Sequence, residues 1–164
     1  MRTLVLMRHA KSDYPDGVGD HERPLAERGI REAALPGDWL RGNAPEIDAV
    51  LCSSATRTRQ TLARTGIGAP VSYLERLYGT GPGAMIGEIN KVGDDVDTLM
   101  VVGHEPTMSQ VALGLAADEG GDADAARRIS MKYPTSGIAV LQVPGRWADL
   151  ELGGALLAAF HVPR

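Results

Sequence analysis

The stretch Leu4-Val5-Leu6-Met7-Arg8-His9-Ala10 is a short apolar run that ends in a guanidinium and an imidazole. Continuous apolarity over its first four residues predicts a strand that is buried on both faces, as in a parallel sheet. The pattern occurs twice more, because Val50–Ser53 leads into Arg57 and Leu99–Val102 leads into His104. The carboxyl ends of parallel strands share one edge, where ligands of open α/β sheets bind. We therefore expect these side chains to converge on one crevice.

Short apolar runs alternate with helical patterns along the rest of the chain, which indicates an α/β fold with parallel strands. Further strands are predicted at Val71–Leu74, Ile138–Val143 and Leu156–His161, and the last two could lie at the sheet edge and run antiparallel. Helices are predicted over Glu27–Leu40 (kinked or broken by Pro36), Thr56–Ala63 (ended by Gly66), Met85–Val92 and Pro106–Ala117. Glu119–Asp124 is interpreted as an acidic, glycine-rich surface loop.

Length, charge and cysteine content limit the classes of protein that this chain can be. A length of 164 residues favours a single domain spanning 1–164, which can bury a hydrophobic core without needing disulfides or metal ions for stability. A net charge of −4 argues against nucleic acid or an anionic membrane as partner. Cys52 is the one cysteine, so no internal disulfide can form, and a cytoplasmic location is expected. No leader peptide or bilayer-spanning apolar run is recognised.

His9 is the strongest candidate for a catalytic group. A lone histidine is usually structural, but His9 follows a buried strand, neighbours Arg8 and has a second strand-end imidazole, His104, to work with. A neutral imidazole is nucleophilic through one ring nitrogen when a partner holds the proton on the other. The adjacent guanidinium disfavours imidazolium and so lowers the pKa. We therefore predict that His9 attacks phosphorus and forms a phosphohistidine intermediate.

Arg8, Arg57 and His104 are predicted to bind the phosphoryl group. Phosphoryl transfer spreads charge over three oxygens, so catalysis depends on positioning and on preorganised positive charge, which the planar fork of arginine supplies. Arg57 and Arg59 point to different sides of a helix, so only one of them is expected to face the site. Ser53, at the start of that helix, could add a hydroxyl donor.

These motifs together resemble the histidine phosphatase superfamily, whose fold is also called phosphoglycerate-mutase-like. The matching segments are Arg8-His9-Ala10, Ser53-Ser54 with Arg57 and Gln60-Thr61, and Gly103-His104-Glu105-Pro106. Ala10 stands where the family usually has glycine, and Ser54 stands where it usually has proline; neither change removes a charged group. The small size and the segments Arg8–Ser12 and Glu22–Leu25 more closely resemble the SixA branch, whose members are phosphohistidine phosphatases acting on proteins.

The resemblance implies a three-layer α/β sandwich, a mostly parallel sheet with helices on both faces, and specific roles for residues. His9 would be the phosphorylated nucleophile, with Arg8, Arg57 and His104 as the phosphate pocket. Arg23 would lie near the phosphate, although an ordinary surface position is equally open. Glu75 is similar in placement to the general acid of phosphoglycerate mutases, although an ordinary surface ion pair with a nearby arginine is equally open and the SixA branch is not known for a clear acid. Weaker alternatives for the acid are Asp20, Glu22 and Glu105.

Three functions remain open at this point. The favoured one is a metal-independent phosphatase without a cofactor, acting on protein phosphohistidine; small-molecule phosphatase or mutase activity is the alternative, and a non-catalytic phosphate-binding domain is a third. No His-x-x-x-His or Cys-x-x-Cys pair predicts a metal site, and the guanidiniums would repel a cation. The short loops leave little material for a lid over a small substrate, which favours a phosphorylated protein as partner.

Overall fold

The computed structural model describes residues 1–164 and contains one six-stranded sheet. The strands are β1 (Arg2–Arg8), β2 (Ala49–Ser53), β3 (Val71–Leu74), β4 (Thr98–Gly103), β5 (Ile138–Val143) and β6 (Leu156–His161). Their order across the sheet is β3-β2-β4-β1-β5-β6, so β6 is an edge strand. The first four strands pair in parallel, whereas β5 runs antiparallel to both of its neighbours. The mostly parallel sheet predicted from the sequence is confirmed.

Six α-helices and three single-turn 3-10 helices accompany the sheet. The α-helices are α1 (Glu27–Glu32), α2 (Leu35–Asn43), α3 (Thr56–Thr65), α4 (Pro82–Asn90), α5 (Thr107–Leu115) and α6 (Ala123–Met131). The 3-10 helices span Asp20–Glu22, Glu75–Leu77 and Trp147–Asp149. None of the helices is long and apolar enough to cross a membrane.

The central strand β1 shows why helices cover both faces of the sheet. Its side chains alternate between faces, so Leu4 and Leu6 enter a larger core of 23 buried residues, while Val5 and Met7 enter a smaller core of 10. Helices α4, α5 and α6 contribute to the larger core, and α2 and α3 contribute to the smaller one. The fold is thus the predicted three-layer α/β sandwich.

The predicted helix over Glu27–Leu40 is broken into α1 and α2, as Pro36 led us to expect, while another segment differs from its prediction. Pro36 lies in the first turn of α2, where its missing N–H costs nothing. Helix α6 begins at Ala123, inside the segment interpreted as a loop, because the Asp122 carboxylate accepts a hydrogen bond from Ala125 N at 3.0 Å and caps the helix.

Candidate active site

The candidate site lies at the carboxyl ends of three adjacent strands, β2, β4 and β1. His9 directly follows β1, His104 directly follows β4, and Arg57 lies in the first turn of α3, just after β2. The pairing of Arg8 with Gly103 across β1 and β4 places the two strand ends side by side. The structure therefore brings together the side chains that the sequence pattern predicted to converge.

The His9 ring is held in one tautomer by the backbone. The side chain is buried, and its Nδ1 lies 2.7 Å from the carbonyl oxygen of Ala10. A carbonyl can only accept, so Nδ1 carries the hydrogen and the lone pair is on Nε2. The backbone is fixed as well, because His9 N donates to Gly103 O and Ser136 N donates to His9 O. The ring therefore has the form that a nucleophilic imidazole requires.

The pKa of His9 is lowered to about 3, mainly because burial penalises the charged ring. His104, Arg8 and Arg57 lower it further by charge repulsion. Arg8 lowers the pKa of His9, as predicted from the sequence, but burial is the larger cause. At neutral pH the ring is uncharged, so its lone pair is free.

The guanidiniums of Arg8 and Arg57 have donors left over after their protein contacts are counted. Arg8 Nη1 donates to Tyr133 O at 2.9 Å, and Arg57 donates to Asp20 from Nη1 and Nη2 at 2.7 and 3.2 Å. The Nε atoms of both arginines are buried without a partner in the protein. Burial of an unpaired donor is costly, so these groups are suited to binding an oxyanion.

His104 completes this group of side chains. Its ring centroid lies 5.4 Å from that of His9, and its Nε2 shares a hydrogen bond of 2.8 Å with Ser53 Oγ. Nδ1 is buried and has no partner in the protein. Burial, and then the charge of Arg57, lower the pKa of His104 to about 4. The Ser53 hydroxyl thus contacts His104, while Arg59 turns away and stacks over the Tyr73 ring at 4.1 Å.

Asp20, in the loop after β1, accepts hydrogen bonds from the guanidiniums of Arg23 and Arg57. Its Oδ1 accepts from Arg23 Nε at 3.0 Å, and its Oδ2 accepts from Arg57 and, at 2.5 Å, from the hydroxyl of Tyr78. The Tyr78 hydrogen bond, followed by those from Arg23 and Arg57, holds the pKa of Asp20 far below its usual range. The carboxylate is therefore ionised at neutral pH, which argues against Asp20 as a proton donor.

Arg23 is part of the site wall and not an ordinary surface residue. It is buried, and besides Asp20 it donates from Nη1 to Ser12 Oγ and Asp13 O at 2.9 and 3.0 Å. Its guanidinium also lies over the ring of Tyr14, 4.0 Å from the centroid. Arg23 thus ties the loop after β1 into one structure around Asp20.

Glu75 lies at the rim of the site beside a third imidazole. Ser54 Oγ donates to Glu75 Oε1 at 2.9 Å, and His21 Nε2 lies 2.9 Å from the same Ser54 Oγ. We call His21, Ser54 and Glu75 the rim cluster. Of the other proposed acids, Glu22 is exposed, and Glu105 accepts hydrogen bonds from Ser109 N and Oγ. Glu105 therefore fixes the start of α5.

Sequence reasoning missed His21 and Tyr78. The two rings meet edge-on with centroids 4.7 Å apart, and Tyr78 meets His104 in the same way at 5.6 Å. The available signals were the long polar loop from Ser12 to Pro24 and the position of Tyr78, three residues after Glu75. Neither signal shows which side chain of an irregular segment reaches the site at the carboxyl-terminal edge of the sheet.

A separate cavity of about 640 Å³ lies at the opposite, amino-terminal ends of β2 and β3. Its polar side chains are Arg41, Glu46 and Asp48, and it contains no histidine. The structure also contains no group of three or more His, Cys, Asp or Glu side chains placed to hold a metal ion. The histidines and arginines described above lie at the carboxyl-terminal edge of the sheet, opposite this cavity.

Comparison with known proteins places this architecture in a family. Residues 4–95 match the model of the histidine phosphatase superfamily, branch 1. An uncharacterized protein of Mycobacterium tuberculosis is 68% identical over 158 residues, which cover 96% of this chain and 100% of that protein. The chain belongs to the histidine phosphatase superfamily and is a phosphatase.

Two further relatives define the branch. The structure of a candidate phosphohistidine phosphatase SixA from Nakamurella multipartitia has a TM-score of 0.90 at 42% identity, covering 99% of this chain and 96% of that chain. The phosphohistidine phosphatase SixA of Escherichia coli is 28% identical over 122 residues, covering 71% of this chain and 75% of that protein. Within the superfamily, the chain is of the SixA type.

Proposed function

We propose that this protein hydrolyses protein phosphohistidine through a phosphorylated His9, without a metal ion. The observation that carries the proposal is the hydrogen bond of 2.7 Å from His9 Nδ1 to Ala10 O, which leaves the Nε2 lone pair beside two guanidiniums. An imidazole fixed in this tautomer can attack phosphorus without first losing a proton.

In the first step of the proposed reaction, His9 Nε2 forms a bond to phosphorus while the bond from phosphorus to the leaving group breaks. Arg8, Arg57 and His104 hold the phosphoryl oxygens, and their preorganised charge stabilises the transition state. Arg23 and Ser53 support this pocket, Arg23 through Asp20 and Ser53 through His104. The leaving group takes a proton from the rim side of the site, where Glu75 lies.

In the second step, water attacks phosphorus, the bond to His9 Nε2 breaks, and inorganic phosphate leaves. Positive charge at the phosphoryl group comes from arginine throughout, so the proposed reaction has no step that needs a metal ion. We therefore expect activity to persist in excess chelator.

The SixA-named relatives and the exposed rim support a phosphorylated protein as the substrate. Glu75 and Asp20, which flank the site, keep 77% and 57% of their side-chain surface exposed, so a phosphorylated side chain on a protein surface can approach them. A cytoplasmic location stays a prediction, compatible with the buried free thiol of Cys52.

Trapping of the phosphorylated enzyme tests the proposal. Brief incubation with a phosphohistidine protein carrying labelled phosphate, in excess chelator, is expected to label His9 through a base-stable, acid-labile bond. The variant His9→Ala is expected to lose both the label and turnover, while phosphoserine peptide and 3-phosphoglycerate are turned over more slowly by the wild type. A label on serine, full activity of His9→Ala or a preference for 3-phosphoglycerate would contradict the proposal.

A further inference from the structure

The rim cluster has an arrangement that the proposed phosphate pocket does not explain. The single hydroxyl hydrogen of Ser54 is donated to Glu75, and an ionised carboxylate can only accept. Ser54 Oγ must therefore accept from His21, so the His21 ring carries a hydrogen on Nε2. The carboxylate, the hydroxyl and the imidazole form an oriented chain.

The other nitrogen of the His21 ring is left available by this chain. His21 Nδ1 makes no hydrogen bond in the protein and lies 3.6 Å from Glu22 Oε1. The side chain keeps 29% of its surface exposed, so a substrate group can reach it. With Nε2 anchored and Nδ1 free, the ring has one nitrogen that can exchange protons with a bound molecule.

His21 is also fixed relative to the reacting groups. It follows Asp20, which accepts hydrogen bonds from Arg57 and Arg23, and Ser54 follows Ser53, which binds His104. The ring of Tyr78 packs between those of His21 and His104. The rim cluster is thus tied to the nucleophile pocket through three separate contacts.

We propose that His21 donates the proton to the leaving group, and that Glu75 acts through Ser54 to orient the His21 ring. The inference rests on the proposed function and adds the residue that acts opposite His9. An imidazole suits the task, because it is the side chain that ordinarily changes charge between pH 5 and 8. His9 and His104 are unsuitable, since burial lowers the pKa of each to about 3 and about 4.

The proton balance closes over the two steps. In the first step, His21 Nδ1–H is transferred to the departing nitrogen or oxygen as the bond from His9 Nε2 to phosphorus forms. His21 is then neutral, with its Nε2–H still donated to Ser54. In the second step, His21 Nδ1 takes a proton from the attacking water, and phosphate is released. Glu22 and Glu75 lie beside the two ring nitrogens and balance the charge of the protonated ring.

Leaving-group dependence distinguishes this role from a structural one. Nitrophenolate departs as a stable anion, whereas phenolate needs protonation, so loss of a general acid affects phenyl phosphate more than p-nitrophenyl phosphate. His21→Gln keeps an amide donor for Ser54 and removes the exchangeable proton. We expect it to lower kcat/KM for phenyl phosphate at least about tenfold more than for p-nitrophenyl phosphate, within the range of general acid catalysis.

Two further variants complete the experiment. Ser54→Ala removes the hydroxyl that bridges the ring to Glu75 but leaves Glu75 Oε1 3.4 Å from His21 Nε2, so the same substrate selectivity is expected with a smaller loss. His161→Gln is the matched control, because His161 lies on the edge strand β6, which β5 separates from β1, and its ring stacks on Trp39 and not on a residue of the rim cluster. Melting temperatures of all variants show whether each has folded.

The outcomes separate this inference from the proposed function. A loss in His21→Gln that is equal for the two esters, or no loss for either, overturns the role of His21 while leaving His9 as the nucleophile. If the wild type forms no phosphohistidine and hydrolyses neither ester, the proposed function fails together with it. The same selectivity in His161→Gln would also contradict the role of His21.

Discussion

Arg57 is the clearest case in which the shape of a side chain matters as well as its charge. Its two terminal nitrogens are directed at one partner, Asp20, and its Nε has no partner. Lysine would keep the charge but lose the planar fork. We expect Arg57→Lys to lower kcat/KM by about 100-fold, the effect typical of losing one preorganised donor to a transition state.

The matched control for this substitution lies on the same helix. Arg64 is exposed near the end of α3, so Arg64→Lys is expected to leave kcat/KM unchanged. Steady-state kinetics with one phosphate ester compares the two variants. Equal activity of Arg57→Lys and wild type would show that the fork does not bind the phosphoryl group.

At the same scale, the residues that follow strands could be predicted and those on loops could not. Arg8, His9 and His104 each follow an apolar run, and the ends of adjacent parallel strands meet at one edge whatever the loops do. His21 and Tyr78 reach the site from irregular segments, where the local sequence does not fix the direction of a side chain. Their places depend on contacts with Ser54 and Asp20, which are distant in sequence.

At the scale of elements, Gly37 allows the helices α2 and α3 to approach each other closely. A Cβ added at Gly37 would lie 2.1 Å from the backbone oxygen of Thr65, a contact that no side-chain movement can relieve. We expect Gly37→Ala to lower the free energy of unfolding by about 1–3 kcal/mol, the usual cost of overpacking. Urea denaturation measures the change.

Gly42, also on α2, is the control because a Cβ there would meet nothing within 4 Å. Gly42→Ala is expected to raise the free energy of unfolding by up to about 1 kcal/mol, since alanine favours helix more than glycine does. If both variants were destabilised alike, the close approach of α2 to α3 at Gly37 would not be the cause of the loss.

The elements that the sequence predicted least well are those with little buried surface. The strands are recognised because a short, continuous apolar run is typical of a strand that is buried on both faces. Helix α6 buries only Ala125 and Ile129, and the acidic, glycine-rich residues before it suggested a loop. Its Asp122 cap was a readable signal that the loop interpretation overlooked.

For the whole molecule, the sheet joins early and late parts of the chain. The family match ends at residue 95, yet β1 lies between β4 and β5, both of which come later. A fragment ending at residue 95 would leave both edges of β1 unpaired. We therefore expect the two faces of the sheet to unfold in one transition, in line with the predicted single domain.

The two tryptophans can report on each face separately. Trp39 packs against the smaller core and Trp147 is buried in the larger one. The variants Trp39→Phe and Trp147→Phe each leave one fluorescent probe. For each variant, the urea transition followed by tryptophan fluorescence is expected to coincide with the transition of the same variant followed by circular dichroism. A fluorescence transition that departs from it would indicate two cooperative units.

The contacts of Asp20 make the resting pocket a site that already holds an anion. Arg57 Nη2 donates to this carboxylate and Nη1 donates to the backbone oxygen of Asp20, so we expect a phosphoryl group that binds both nitrogens to exchange with Asp20. Each hydrogen bond to a charged group contributes about 1.5–3 kcal/mol. The hydrogen bonds that Arg57 forms with the phosphoryl group therefore replace those that it loses with Asp20, and the net gain in binding free energy is small. Under the proposed function, we expect the affinity for free phosphate to be low, because the product competes with Asp20 for Arg57. We therefore expect Asp20 to speed product release by taking back its contacts with Arg57.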